Sequence, residues 1–357
     1  MQKHILRDRP IETLRGLAAL LLVAYHSIEV SPEVPKGSDV YAYFAYTFSM
    51  IRMPLFTVIS GYVYAMRPLL FQQPNCSLQF FTGKARRLLL PLFGATAIYA
   101  GLRWVGGSEP EASAEWWEWL SFFTHSYQVY WFLQGLLWVF VFTWILEKMK
   151  LLSKLKSFIP VFIITTVMGS VMPGSDLFSF WALGYLAPFF LLGLGLRRFE
   201  YQLNILWVSR LMAGVAIASL LLQQMIWWKD LPINITRFSW MSALVGMSCC
   251  WILVYKRFHF KPLAKIGKDA FPIYLYHLIG IAIATMLLRT MEISGNTVAL
   301  FFLKVLMGVG LPMLMNEVFK RNSVTRLIFL GLKKSKKHGN YGPHKNPIFM
   351  TDSPQRS

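Results

Sequence analysis

Ten apolar segments, each close to the length that crosses a lipid bilayer, constrain the fold of this chain more than any other feature. A transmembrane helix needs about 17–25 predominantly apolar residues. Charged residues, prolines and glycines separate the segments, which lie near 11–28, 44–66, 88–105, 127–147, 157–173, 180–196, 205–228, 238–255, 270–289 and 296–318. We therefore predict an all-α, polytopic transmembrane helix bundle of about ten spans.

The amino-acid composition agrees with a membrane protein. Hydrophobic residues make up 55% and charged residues 15% of the chain, whereas a soluble domain has about 25% charged residues. The net charge of +19 does not indicate nucleic acid, because the basic residues lie in short loops between apolar segments. That distribution indicates membrane topology and contact with anionic lipids. The three cysteines offer neither a disulfide framework nor a metal-ligand spacing, so no metal site is predicted.

The distribution of lysine and arginine among the loops predicts the orientation. Basic residues are concentrated at the N-terminus, in every second loop and after the last segment, whereas the intervening loops carry almost none. By the positive-inside rule both termini are cytoplasmic, which requires an even number of spans. We expect a multi-pass protein of the inner (cytoplasmic) cell membrane. It has a transmembrane domain over 1–332 and a basic, disordered tail over 333–357.

The first apolar segment, Arg9–Glu29, carries the most informative polar residues. Arg15 and His26 are eleven positions apart. That spacing is about three helical turns, so both project from one helix face with an axial separation of about 16 Å. Glu12 lies close to the same face. A histidine inside a membrane is costly and indicates a functional site by default; the alternative is a histidine that only forms a hydrogen bond between helices.

Five further polar or aromatic side chains lie inside or at the ends of apolar segments: Arg52, Ser60, Trp131, Tyr274 and His277. Arg52 either belongs to a site or extends its charged end to the outer interface. Ser60 precedes a glycine, and such a small pair more often allows close helix packing. Tyr274 and His277 share a helix face. His277 either joins a site or forms a structural hydrogen bond.

A basic cluster, Lys84, Arg86 and Arg87, lies at the predicted cytoplasmic start of the third segment. Positive-inside anchoring explains such a cluster. Its guanidinium groups would equally suit a ligand that carries several phosphate groups. In the last segment, Lys304 and Glu317 are interpreted as a pair or as side chains that extend to the interface.

Five short motifs appear in an order that resembles the membrane-bound acyltransferase-3 family of integral-membrane O-acyltransferases. They span about residues 9–318 and read IETLRGLAALLLVAYH, MPLFTVISGYVYA, KARRLLLP, YWFL and IYLYH. Each motif is weak alone, and their order and spacing make the resemblance specific. Three positions depart from the family pattern, and one of them is Arg52, which stands where relatives often carry another polar residue. Glu12 replaces the usual aspartate, and Lys84 lacks the guanidinium group that would bind a phosphate with two hydrogen bonds.

The resemblance implies transfer of an acyl group, most often acetyl, from acyl-CoA to a hydroxyl group, with no permanently bound cofactor. His26 would be a general base or a transient acyl carrier, and Glu12 would orient Arg15. The phosphate groups of the donor are expected at Arg15, Lys84, Arg86 and Arg87. The remaining candidates are expected to shape the site: Arg52, Ser60, Trp131, Tyr274 and His277.

The expected acceptor is a surface polysaccharide, a glycolipid or a lipid-linked sugar, and the other expected partner is the lipid bilayer. The main alternative is a secondary transporter or flippase for glycans or lipids, with His26, Arg52 and His277 along the translocation path. Transporters of that kind usually contain internal repeats, and the sequence has none that we detect. A membrane scaffold would give no reason for Glu12, Arg15 and His26 to share one helix face.

Overall fold

The computed structural model of the protein describes residues 8–29, 39–66, 76–105, 124–125, 129–171, 175–229, 239–290 and 297–333, and within them all the regular secondary structure is helical. A short 3₁₀ helix, Leu177–Ser179, precedes α6. The α-helices are α1 Arg9–Glu29, α2 Asp39–Ala65, α3 Cys76–Val105, α4 Trp131–Lys148, α5 Leu155–Val171, α6 Trp181–Arg198, α7 Glu200–Leu203, α8 Leu206–Trp228, α9 Trp240–Tyr255, α10 Lys261–Lys268, α11 Ala270–Thr290, α12 Thr297–Arg321 and α13 Ser323–Leu330.

Each predicted apolar segment coincides with one of these helices, so the all-α prediction is confirmed. Among the described helices, seven are long and apolar enough to cross a membrane: α1, α2, α4, α6 with the preceding turn, α8, α11 and α12. Helices α5 and α9 are apolar but shorter, and α3 carries the basic cluster in its first half. The total of ten spans and the side of the termini stay predictions. The predicted tail lies, except for Lys333, outside the described residues.

Described residues of several segments that the charge distribution assigns to one side contact each other at one end of the bundle, which we call the basic end. There the Arg257 guanidinium is 3.0 Å from the Asp8 carboxylate and 3.1 Å from the Tyr62 hydroxyl. Partial burial opposes the charged form of Arg257, but the Asp8 carboxylate and the Tyr62 hydroxyl outweigh it and raise the pKa of Arg257. Lys320, at the end of α12, lies 3.8 Å from Asp269 at the start of α11.

Close crossings of small residues position the helices that carry the candidate site. A Cβ atom at Gly16 would overlap the backbone of Leu263, and one at Gly267 would overlap the carbonyl group of Glu12. Helix α10 therefore lies directly on the first turns of α1. Reciprocal overlaps at Gly61 and Gly193 bring α2 and α6 equally close. Small residues drive such contacts because, within lipid, packing rather than exclusion of water favours helix association.

Helix α13 packs between α3 and α11 at the basic end. The Tyr276 hydroxyl donates a hydrogen bond to the Phe329 carbonyl oxygen at 2.9 Å, and Arg86 Nε donates to the Gly331 carbonyl oxygen at 3.2 Å. Gly331 follows α13 in the left-handed conformation, with φ of 64°. A Cβ atom there would also come within 2.7 Å of the Arg87 Cα atom, so the close contact with α3 depends on this glycine.

Candidate active site

Two histidines that are far apart in the sequence face each other inside the bundle. The ring centres of His26 on α1 and His277 on α11 are 5.2 Å apart, with the ring planes inclined at 42°. Helix α12 closes this part of the bundle. A Cβ atom at Gly308 would lie 2.6 Å from Val23 Cγ1 and 3.6 Å from the His277 carbonyl oxygen. The predicted catalytic histidine therefore has a second imidazole as its neighbour.

His277 is fully buried, and the environments of its two ring nitrogens differ. Nδ1 lies 3.0 Å from the Ile273 carbonyl oxygen and 2.9 Å from the Tyr274 carbonyl oxygen, both in the preceding turn of α11. Nε2 is also buried, and it has no hydrogen-bond partner among the residues that the structure describes. A buried nitrogen without a partner is uncommon and requires an explanation.

Arg52 lies beside the histidine pair. Its guanidinium carbon is 3.2 Å from the centre of the Tyr25 ring, and that ring is 5.1 Å from the His26 ring in an edge-to-face arrangement. A guanidinium over an aromatic face is a cation–π contact, which is stronger where water is excluded. The contact brings a fixed positive charge close to His26, and it joins Arg52 of α2 to the candidate site.

Lys304 in α12 is fully buried, so the expectation that it extends to the interface is wrong. It cannot pair with Glu317, which is about 20 Å further along the same helix and lies 2.7 Å from Lys320 instead. Lys304 is one turn from Gly308 on the same face. Helix α12 ends at the basic end, and α1 begins there. The turn from Gly308 to Lys304 therefore runs away from the basic end, in the same direction as the turn from Val23 to His26. Lys304 was conspicuous in the sequence because it is a charged residue inside an apolar segment.

An aromatic layer underlies the histidine pair. The ring centres of Phe132 and Tyr274 are 5.4 Å apart, and Phe56 is 6.2 Å from each of them. The Tyr274 hydroxyl donates a hydrogen bond to the carbonyl oxygen of Val129. Tyr274 is thus held by α4 and the turn before it, and it holds in turn the part of α11 that carries His277.

Ser60 and Trp131 contact residues of α2, α4 and α6. The Ser60 hydroxyl donates to the Phe56 carbonyl oxygen within α2, at 2.8 Å. The Trp131 ring lies 4.9 Å from Trp181 and 6.2 Å from Tyr185. Their described contacts are within and between helices that support the aromatic layer.

The predicted donor-binding cluster on α3 does not converge on one point. Lys84 Nζ lies 3.5 Å from the centre of the Phe140 ring, whereas Arg86 donates to Gly331. The Arg87 side chain is exposed at the basic end. Of these three, Arg87 is therefore the most accessible to a ligand that approaches from that end.

Glu12, Arg15 and His26 lie on one uninterrupted helix, because α1 runs from Arg9 to Glu29. The axial distance from Arg15 to His26 is accordingly about 16 Å. Glu12 is buried, with 7% of its surface exposed, and its backbone carbonyl faces Gly267 of α10. Arg15 is half-buried. Within the described ranges, no group of three histidine, cysteine, aspartate or glutamate side chains is arranged to hold a metal ion.

Comparison with known protein families identifies a family for this chain. The sequence model of the acyltransferase-3 family, described as an acyltransferase domain, matches residues 9–317. No curated protein and no solved structure gave a match. The family match covers all the candidate site residues and most of the chain. The chain therefore belongs to the acyltransferase-3 family and is a multi-pass membrane acyltransferase.

Proposed function

We propose that this acyltransferase moves an acyl group, with acetyl as the favoured group, from acyl-CoA to a hydroxyl of a cell-surface glycan, a glycolipid or a lipid-linked sugar. Family membership supports acyl transfer in general. The observation that carries the assignment of the site is the approach of His26 and His277 to 5.2 Å within the helix bundle. Buried ionisable groups at membrane depth are costly and are retained for function.

We assign His26 the role of general base. The acceptor O–H bond breaks as its proton moves to a nitrogen of His26, and the oxygen forms a bond to the thioester carbonyl carbon. The carbon–sulfur bond then breaks, and the CoA thiolate leaves and takes up the proton from His26. Proton transfer by a positioned imidazole typically contributes about 10²–10⁴ in rate. If His26 instead carried the acyl group, donor supplied without acceptor would release free CoA in a burst stoichiometric with the protein.

The donor is proposed to bind at the basic end, with its phosphate groups against Arg15 and Arg87. Guanidinium groups match phosphate oxygens with two hydrogen bonds. Lys84 and Arg86 contribute positive charge from positions that already contact Phe140 and Gly331. The thioester arm then follows α1 over the distance of about 16 Å from Arg15 to His26.

Arg52 is proposed to stabilise the negative charge that develops on the thioester oxygen or on an anionic acceptor. Its cation–π contact with Tyr25 fixes the guanidinium before the substrate arrives, and a preorganised charge in a site of low dielectric is effective for this purpose. Lys304 is buried on the α12 face that contains Gly308, and we propose that it lines the same part of the bundle.

The test uses purified protein in lipid nanodiscs with radiolabelled acetyl-CoA and a lipid-linked oligosaccharide. His26→Ala is expected to lower turnover by about 10²–10⁴-fold without changing protein yield or the unfolding midpoint. His125→Ala, which changes an exposed histidine, is the matched control and should retain activity. Unchanged turnover in folded His26→Ala would refute the role of His26. Transport of the glycan without consumption of acetyl-CoA would instead support the transporter alternative.

A further inference from the structure

We infer that His277 is a positioning residue whose Nε2 accepts a hydrogen bond from a ring N–H of His26 during acyl transfer. That bond selects the tautomer of His26 in which the other nitrogen faces the acceptor hydroxyl. The inference rests on the proposed function, in which His26 is the general base. It assigns distinct roles to the two imidazoles that face each other between α1 and α11.

The hydrogen bonds of His277 determine where its proton lies. Both neighbours of Nδ1 are backbone carbonyl oxygens, of Ile273 and Tyr274. Carbonyl oxygens only accept hydrogen bonds, so Nδ1 must carry the hydrogen. The side chain is fully buried, and burial of an unpaired charge is costly, which favours the neutral ring. In a neutral imidazole the other nitrogen is an acceptor, so Nε2 of His277 presents a lone pair.

The position of His26 fits a donor to that lone pair. Two imidazoles joined by a collinear N–H···N hydrogen bond have ring centres about 5 Å apart, and the observed separation is 5.2 Å. Nε2 has no hydrogen-bond partner in the described part of the chain. A modest rotation of the inclined rings would therefore satisfy a buried acceptor that the structure otherwise leaves unpaired.

This arrangement has a consequence for each stage of the reaction. While one nitrogen of His26 donates to His277, the other must carry the lone pair and is ready to accept the hydroxyl proton. When His26 becomes an imidazolium, its N–H bond to His277 is strengthened, because the donor is then charged. The proton that His26 took up later leaves with the CoA thiolate. His277 keeps its own Nδ1–H throughout, since both carbonyl oxygens remain in the same turn of α11.

If His277 had a purely structural role, only its Nδ1 hydrogen bonds would matter. Two variants distinguish that role from the positioning role of Nε2. His277→Asn keeps an N–H donor near the place of Nδ1 and removes the acceptor at the place of Nε2. His277→Gln brings an amide oxygen to about the place of Nε2 and so restores an acceptor. Tyr276→Phe is the control, because it removes the hydrogen bond to the Phe329 carbonyl oxygen from the residue next to His277 and leaves both imidazoles intact.

The experiment measures kcat, the KM for acetyl-CoA and the unfolding midpoint of the full-length protein in nanodiscs. We expect His277→Asn to lower kcat by about 10- to 100-fold, the usual effect of losing a partner that orients a reactive ligand, with an unchanged KM. His277→Gln should recover most of the loss. Tyr276→Phe should lower the unfolding midpoint and retain kcat. Wild-type kcat in His277→Asn, or equal losses in the Asn and Gln variants at an unchanged midpoint, would overturn the inference.

A second measurement tests the pairing without any substrate. In protein labelled with ¹⁵N-histidine, the Nε2 resonance of His277 should have the shift of an unprotonated nitrogen, and His26→Ala should move it. Tyr276→Phe should leave it in place. A protonated Nε2, or a resonance that is insensitive to His26→Ala, would overturn the pairing. Absence of acyl transfer by the wild-type protein would refute the proposed function, which makes the two failures distinguishable.

Discussion

Two adjacent arginines at the end of α6 should contribute very differently to stability. Arg198 Nη2 lies 2.7 Å from Glu147 Oε1, and its Nη1 donates to the Leu152 carbonyl oxygen at 3.0 Å. Only 15% of the Arg198 side chain and 4% of the Glu147 side chain are exposed. Arg197 contacts Glu200 one turn later, with 38% and 36% of the two side chains exposed. Water therefore screens the pair of Arg197 and Glu200 but not the pair of Arg198 and Glu147.

Arg198→Ala would leave the Glu147 carboxylate buried without its counter-charge and the Leu152 carbonyl without this donor. Removal of one partner from a buried ion pair costs about 3–5 kcal/mol. Arg197→Ala, the matched control, removes a pair of the exposed kind, which is worth about 0–1 kcal/mol. Reversible unfolding in mixtures of a mild detergent and SDS, followed by circular dichroism, would give both free energies of unfolding.

If Arg198→Ala and Arg197→Ala lowered the free energy of unfolding by equal and small amounts, burial would not determine how much an ion pair stabilises this protein. A third variant sharpens the test. Replacement of both Glu147 and Arg198 by leucine removes the desolvation cost together with the attraction, and such replacements are often neutral or stabilising. The double variant should therefore be clearly more stable than Arg198→Ala.

Two further predictions concern α10 and the basic cluster. Gly16→Leu should destabilise the contact between α1 and α10 by about 1–3 kcal/mol, because the side chain would overlap backbone rather than a flexible side-chain end. Faster proteolysis in the loop before α10 would report this, and Gly214→Leu, which meets open space, should have no such effect. Arg87→Ala should raise the KM for acetyl-CoA by about tenfold, the loss of one charge-assisted hydrogen bond. Arg86→Ala should chiefly loosen α13, because its Nε holds Gly331. If only Arg86→Ala raised the KM, the assignment of the donor phosphates to Arg87 would be wrong.

The local features of the candidate site were predictable from the sequence because they depend on helix geometry. Arg15 and His26 were expected on one helix, and α1 runs without interruption through both. The apolar segments predicted the helices for the same reason, since segment length and hydrophobicity act within a single span. The motif order likewise indicated the family that the sequence comparison identified.

Contacts between helices were decided only by the tertiary structure. The sequence grouped Lys84 and Arg86 because they are neighbours on α3, yet one lies over the Phe140 ring and the other contacts Gly331. Helical periodicity specifies which face of its own helix a side chain occupies, and it does not specify which helix that face will meet. That choice follows from packing, in which Gly308 lets α12 approach both α1 and α11.

The histidine pair illustrates the same division. His26 could be singled out from the sequence because a polar residue in an apolar segment is conspicuous, and His277 was conspicuous for the same reason. That their rings lie 5.2 Å apart depends on the crossing of α1 and α11. The sequence determined that each imidazole lies on a helix formed by an apolar segment. The packing of those helices determined that the two rings face each other.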